Sequence, residues 1–183
     1  MKTTDLSKYD NSWYKPGNFL LRTLWHIVGS ILINSNIPFP VSLKISVLKL
    51  FGAKIGKGVM IKPQVCIKYP WFLEIGDFVW IGEMVWIDNL TKISLGNHVC
   101  LSQGSMLLTG NHDYTKSTFD LKVAEIHLED GVWIGAKSVV CPGVVAKSHS
   151  VLSVNSVATK EMQPYMIYQG NPAKEIRQRH IND

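Results

Sequence analysis

From Ile55 to Gln163 the chain repeats itself in sixes. The blocks open at Ile55, Ile61, Ile67, Ile75, Ile81, Ile87, Leu95, Leu101, Leu107, Leu128, Ile134, Val140, Ala146, Leu152 and Ala158. Thirteen of these fifteen openers are Ile, Leu or Val, residues that make up only 51 of the 183 in the chain. The fifth place is nearly as regular, with Val59, Val65, Val79, Val85, Val99, Ser105, Val132, Ser138, Val144, Ser150 and Ser156, while Trp71, Thr91, Asn111 and Met162 depart from it. The blocks group in threes: IGKGVM, IGDFVW and LGNHVC begin 20 residues apart, so each group carries two extra residues, Leu73-Glu74 and Ile93-Ser94.

A helix needs apolar residues every third or fourth position and a half-buried strand every second. A period of six grouped in threes fits neither. It fits a short strand and a turn, repeated three times round a triangular coil. The opener points to the axis and stacks on the opener one coil away. The fifth residue, small or β-branched, leans inward beside it. Gly56, Gly76, Gly82, Gly96 and Gly135 follow openers, which suits a backbone that turns sharply. The expected architecture is an all-β parallel β-helix whose backbone groups pair between coils. The sixth place should face out, yet it holds Met60, Cys66, Phe72, Trp80, Trp86, Cys100, Met106, Trp133, Val139, Val145, Val151 and Val157. Apolar columns on that scale mark an interface.

The flanks divide the chain into an arm and helical cap over 1–51, the repeat over 52–163 and an extension over 164–183, all one domain. The arm, residues 1–18, is expected to dock on a neighbour. Asn18 is placed to cap a helix over 19–33, with Leu20, Leu24, Ile27 and Ile31 on one face and Leu21, Trp25, Val28 and Leu32 beside them. Arg22 and His26 interrupt this apolar surface, and it is too short to span a membrane. It either packs on the end of the prism or touches a membrane surface. A second helix, 41–51, stops at Gly52. The net charge of +5 suits an anionic ligand, without the dense basic stripe of a nucleic-acid binder. Three cysteines, Cys66, Cys100 and Cys141, form no C-x-x-C pair, which suits a reducing, cytoplasmic compartment.

With fifteen hexads in register and the strings WIGAKSVVCPGV (133–144), NSVATK (155–160) and GNPAKEIR (170–177), the chain resembles the hexapeptide-repeat acyltransferases over roughly residues 52–179. It is most similar to the branch of maltose and galactoside acetyltransferases and colanic-acid-type exopolysaccharide O-acetyltransferases. The resemblance implies a left-handed β-helix, an exception to the usual crossover rule, with N-terminal helices and a short C-terminal helix after Pro172. It further implies a homotrimer with active sites between subunits, acetyl-CoA as acyl donor, and a small-molecule or lipid-linked sugar as acceptor. The γ-type carbonic anhydrases share this fold, but their His-x-x-x-x-His zinc pair is missing here, so no metal is expected.

The repeat breaks at 113–127, directly after His112 in TGNHDYTKSTFD, and a loop of that length inside a compact repeat is usually functional. In the resembled family the histidine at this root is the general base, a task suited to imidazole, which titrates near neutral pH. Asp113 is a candidate orienter of the ring; it could equally bind acceptor or face water. The resemblance places donor contacts at Gly135, Ala136 and Val154, with Thr159 and Lys160 near the adenine and phosphate end. It places Lys174 and Arg177 on one face of the C-terminal helix, against the CoA phosphates. The family's acceptor contacts do not carry over: Gly82 stands at the asparagine position. Asp88 and Asn89, one coil below His112, are the candidate acceptor pair. Trp80 and Trp86 could stack on a sugar or pack in the trimer. The expected activity is O-acetylation of a sugar hydroxyl, with N-acetylation of an amino sugar or a non-catalytic trimerisation scaffold as alternatives.

Overall fold

The computed structural model describes residues 3–182, so the first two residues of the arm and Asp183 lie outside it. Three sheets form the three faces of a prism. The first face stacks Lys54–Ile55, Leu73–Ile75, Ile93–Leu95, Ile126–Leu128 and Val145–Ala146. The second stacks Met60–Ile61, Trp80–Ile81, Cys100–Leu101, Trp133–Ile134 and Val151–Leu152, and the third Cys66–Ile67, Trp86–Asp88, Met106–Leu108, Val139–Val140 and Val157–Ala158. All these pairings are parallel and in register, opener on opener: Ile61 on Ile81, Ile81 on Leu101, Leu101 on Ile134. All fifteen openers are buried, and so is the fifth place of every block except those of Trp71, Thr91 and Asn111. Burying an aliphatic side chain of this size stabilises the fold by roughly 1.5–3 kcal/mol, so the opener columns are the core.

The turn is made at a place the repeat did not advertise. The fourth residue of block after block has positive φ: Gly58, Gln64, Phe78, Met84, His98, Gly104, Gly131, Lys137, Gly143, His149 and Asn155. The glycines after the openers have another purpose. A Cβ on Gly76 would lie 2.7 Å from the Gly96 carbonyl carbon, and one on Gly135 would lie 2.6 Å from the Val154 nitrogen. They are small because consecutive coils meet there, which corrects the reading of them as turn residues.

The outward places also sort by face. The second face presents Met60, Trp80, Cys100 and Trp133, with Trp80 at 52% exposure; Val151 is buried between its neighbours Trp133 and Ile167. The third face presents Cys66, Trp86, Met106, Val139 and Val157. The first face is polar except for Val145 in its last row, because its two-residue excess puts Glu74 and Ser94 outward, beside Lys54 and His127. Lys54 and Lys92 both pair with Glu74 at 2.8 Å. Phe72 leaves the apolar columns altogether, in a 3-10 turn at Pro70–Phe72.

Helices α1, Phe19–Leu32, and α2, Val41–Leu50, close the lower end. The Asn18 side chain caps α1 by accepting from the Leu21 N–H at 2.7 Å. The first coil's orphan carbonyls take side-chain donors: Trp25 Nε1 donates to Ile67 O at 2.9 Å, and the buried Lys44 ammonium donates to Lys62 O at 3.0 Å. This satisfies an open sheet edge that would otherwise attract another chain. Burial also pulls the Lys44 ammonium below its ordinary pKa.

At the upper end the expected C-terminal helix is absent. Met166–Gly170 pairs parallel with Val151–Leu152 and then antiparallel with Ala173–Gln178. The sequence KEIRQ favours helix, but the last coil offers an unpaired edge, and tertiary pairing overrides propensity. The arm differs too. It docks on its own chain: Asp5 N–H donates to Ser117 O at 2.8 Å, Tyr14 Oη to Leu90 O at 2.5 Å, and Trp71 Nε1 to Pro16 O at 2.9 Å.

Candidate active site

The break in the repeat is a β-hairpin, with Gly110–His112 antiparallel to Leu121–Val123 and His112 opposite Leu121. It leaves the prism at the corner between the third and first faces, after Met106–Leu108 and before Ile126–Leu128. His112 ends the outgoing strand. Its Nδ1 lies 2.9 Å from the Phe119 carbonyl oxygen, and its ring stacks on the Phe119 ring with centroids 4.3 Å apart. A carbonyl can only accept, so Nδ1 carries a proton, and in the neutral ring the lone pair is at Nε2. Phe119 has a φ of 52°, the left-handed region, where bulky residues persist only if their surroundings hold them. That strain sits at the one residue that sets the histidine's tautomer.

Asp113 does not orient the ring. Its carboxylate accepts from the Thr115 hydroxyl at 2.6 Å and pairs with Lys122 at 2.9 Å. The Thr115 bond, with Lys122 after it, draws its pKa down from the ordinary 3.8 to about 2. It is the clasp of the hairpin. Asn89 is likewise committed: fully buried, it accepts from Tyr69 N–H at 3.0 Å and donates to Tyr69 O at 2.6 Å, clipping two coils together. Asp88 pairs with Lys68 at 2.9 Å, and Lys68 is at the edge of the histidine's cavity.

That cavity, about 390 Å³, is lined by His112, Tyr9, Tyr14, Arg22, Lys68 and Tyr69 among others. Tyr9 reaches the His112 ring at 5.7 Å between centroids. Burial pushes the Tyr14 phenol up, so it stays a neutral donor. Tyr9, Tyr14 and Arg22 were not legible as site residues. They are brought there by an arm and a helix that meet the hairpin only in three dimensions.

The expected donor residues divide between two cavities. Gly135, Ala136, Val154 and Arg177 line one of about 450 Å³, at the corner between the second and third faces, with Trp133 and Ile167. The N–H groups of Ala136 and Val154 have no protein acceptor among the described residues. The Gly135 N–H is spent on Leu152 O at 2.7 Å. Thr159, Lys160 and Lys174 line a second cavity of about 130 Å³ at the top of the prism. Lys174 and Arg177 therefore sit on a strand and face separate cavities, where a helix would have set them side by side. Three of the other five histidines are engaged elsewhere: His98 stacks on Phe78, His149 on Tyr165, and His127 Nδ1 meets Ser94 Oγ. Among the described residues, no three His, Cys, Asp or Glu side chains converge as metal ligands.

No protein-family model matches the chain. Over 166 residues it is 34% identical to WcaF of Escherichia coli K12, named for colanic acid biosynthesis acetyltransfer, with 91% of each chain covered. It is 28% identical over 154 residues to the galactoside O-acetyltransferase of the same strain, covering 82% of this chain and 74% of that one. A hexapeptide-repeat-containing acetyltransferase of Vibrio cholerae, solved with acetyl coenzyme A, superposes with a TM-score of 0.79 at 23% identity, covering 88% of both chains. A galactoside acetyltransferase in complex with coenzyme A superposes with a TM-score of 0.77 at 22% identity, covering 87% of this chain and 80% of that one. With 34% identity across 91% of both chains and the same stacked-coil architecture, this chain belongs to the hexapeptide-repeat acetyltransferases.

Proposed function

We propose that this chain is an acetyl-CoA-dependent O-acetyltransferase that modifies a sugar hydroxyl in exopolysaccharide biosynthesis, with His112 as general base. The observation that carries this reading is the Nδ1 to Phe119 O bond, which in the neutral ring leaves the lone pair at Nε2 of a histidine that lines a polar cavity. The acceptor oxygen attacks the thioester carbonyl as Nε2 takes its proton. The tetrahedral intermediate collapses, the C–S bond breaks, and the proton passes from Nε2 to the departing thiolate. The exopolysaccharide role rests on the likeness to WcaF, and the sugar hydroxyl on that together with galactoside O-acetyltransferase. Assaying CoA release against a panel of sugars and oligosaccharides tests it: some should stimulate release, and indifference to every one would refute it.

The pantetheine arm lies along the Gly135, Ala136 and Val154 groove in this reading, with the free N–H groups of Ala136 and Val154 as donors. Arg177 and Lys174 meet the phosphate end, Lys174 together with Thr159 and Lys160. Because the two cations face separate cavities, their effects should be nearly independent. Arg177→Ala and Lys174→Ala should each raise the KM for acetyl-CoA by about three- to tenfold, given the usual worth of exposed charge-assisted contacts. The double variant should show the product of the two, with the acceptor KM little changed. Steady-state kinetics read this directly, and a shift confined to the acceptor would exclude the phosphate assignment.

The His112 cavity and the donor groove share no lining residue, and they open at opposite corners of the third face. A complete site therefore calls for the groove of a neighbouring copy. The apolar second and third faces are the surfaces that a homotrimer would cover, with the polar first face left to solvent. A ring of head-to-tail contacts closes in that geometry.

No helix among the described residues is long and apolar enough to cross a membrane. The outer stripe of α1, Leu20, Leu24, Ile27 and Ile31, is more than half exposed at every position. We read it as resting on the cytoplasmic membrane surface, where a lipid-linked acceptor would be held. The protein should co-sediment with vesicles of mixed zwitterionic and anionic lipids, and replacing Leu24 and Ile27 with Glu should release it. Equal recovery of both proteins in the supernatant would contradict the membrane contact.

A further inference from the structure

Arg22 occupies the inward side of α1, one turn before Trp25, opposite the exposed stripe. Its Nε is fully buried and has no hydrogen-bond partner. Among the described residues its guanidinium makes no hydrogen bond and no ion pair with any side chain. It opens onto the His112 cavity, whose lining contains no Asp or Glu. The second cation there, Lys68, is already matched by Asp88 at 2.9 Å. A partly buried guanidinium left unpaired is unfavourable, and the remedy is a planar or tetrahedral oxyanion that meets its fork. Tyr9, Tyr14 and Tyr69 also line it, with aromatic rings that suit a sugar; the Tyr14 hydroxyl, whose proton goes to Leu90 O, can only accept from a ligand.

We infer that the pocket beside His112 selects an acceptor bearing an anionic group, a phosphate or a carboxylate, which Arg22 holds while His112 activates a hydroxyl of the same molecule. This deepens the proposed function and rests on it. The arrangement explains why a pocket for a sugar is lined by a cation without a carboxylate partner: a neutral glycan would leave the guanidinium unmatched, and an anionic one completes it. Lys68, paired with Asp88, adds a second positive charge to the lining that already has its counter-charge. Two sources of the anion share this chemistry, the phosphate of an activated or lipid-linked sugar and the carboxylate of a uronic acid.

The experiment titrates the full chain by calorimetry with glucose, glucose 1-phosphate and glucuronate. CoA is held at saturation so that the donor phosphate site is occupied. At least one of the two anions should bind about tenfold or more tightly than glucose, the usual worth of a charge-assisted contact. Which of them does so identifies the source. Arg22→Gln should remove that preference, and Arg22→Lys, which keeps the charge and loses the fork, should restore part of it. Equal binding of all three, no binding of either anion, or a preference untouched in Arg22→Gln would overturn the inference. His112-dependent CoA release is read in parallel reactions in which acetyl-CoA replaces CoA, with the same sugars. Transfer without anion preference sinks the inference alone, and anion preference without His112-dependent transfer sinks the proposed mechanism instead.

Discussion

Replacing His112 with Ala should lower turnover by about 10²–10⁴-fold, the usual contribution of a positioned general base. CoA affinity should stay near normal, because none of the donor cavity's lining belongs to the hairpin. The Nδ1–H bond to the Phe119 carbonyl leaves the lone pair of the neutral ring at Nε2, and the variant has no group in its place. The fold should persist, because His112 is only partly buried and stands outside the opener columns. Asp113→Asn should act differently. It loosens the clasp with Thr115 and Lys122 without touching the ring, so its cost should be smaller than that of His112→Ala. A His112→Ala protein with near-normal turnover would end the base assignment.

Replacing Trp80 or Trp86 with Glu should dissociate the assembly and abolish activity together. Both side chains stand outward in apolar columns of the prism, at 52% and 41% exposure in the single chain. In a trimer these faces are covered, and a carboxylate there would be a buried charge without a partner, which costs several kcal/mol. Sedimentation should show the variants as monomers at concentrations where the parent is three times heavier. Activity should vanish with the trimer, because in the proposed arrangement groove and base come from different copies. A Glu at either position with unchanged mass would mean that its face is open to solvent. A wild-type chain that sediments as an active monomer would require the whole site to close within one prism.

The core was legible because it is periodic. The openers are determined by one physical demand, stacking on the axis, and the chain states that demand fifteen times. The inserted loop was legible as an interruption of the same period. What escaped depends on contacts that no period encodes. Phe78, Met84 and His98 look nothing like left-handed turn residues, yet the geometry of the coil places the turn on the fourth residue and they comply. Lys174 to Arg177 read as a helix until the strand Met166–Gly170, itself paired to Val151–Leu152, is set beside them. Glu74 and Ser94 were visible only as excess residues, and that excess is what makes one face polar. Around the base, Asp113 was the obvious neighbour in sequence, whereas Phe119, seven residues on, supplies the bond because the hairpin folds it back. Arg22 looked like an interruption of an apolar helix and instead faces the His112 cavity.

Product identity tests the central claim most directly. The protein, acetyl-CoA labelled with ¹³C in the acetyl group, and the sugars that stimulate CoA release would be incubated and the products examined by NMR. The result expected is a base-labile acetyl ester on a sugar oxygen, formed by the wild type and absent with His112→Ala at equal CoA occupancy. A base-stable amide on an amino sugar, or the same yield of ester from both proteins, would contradict it.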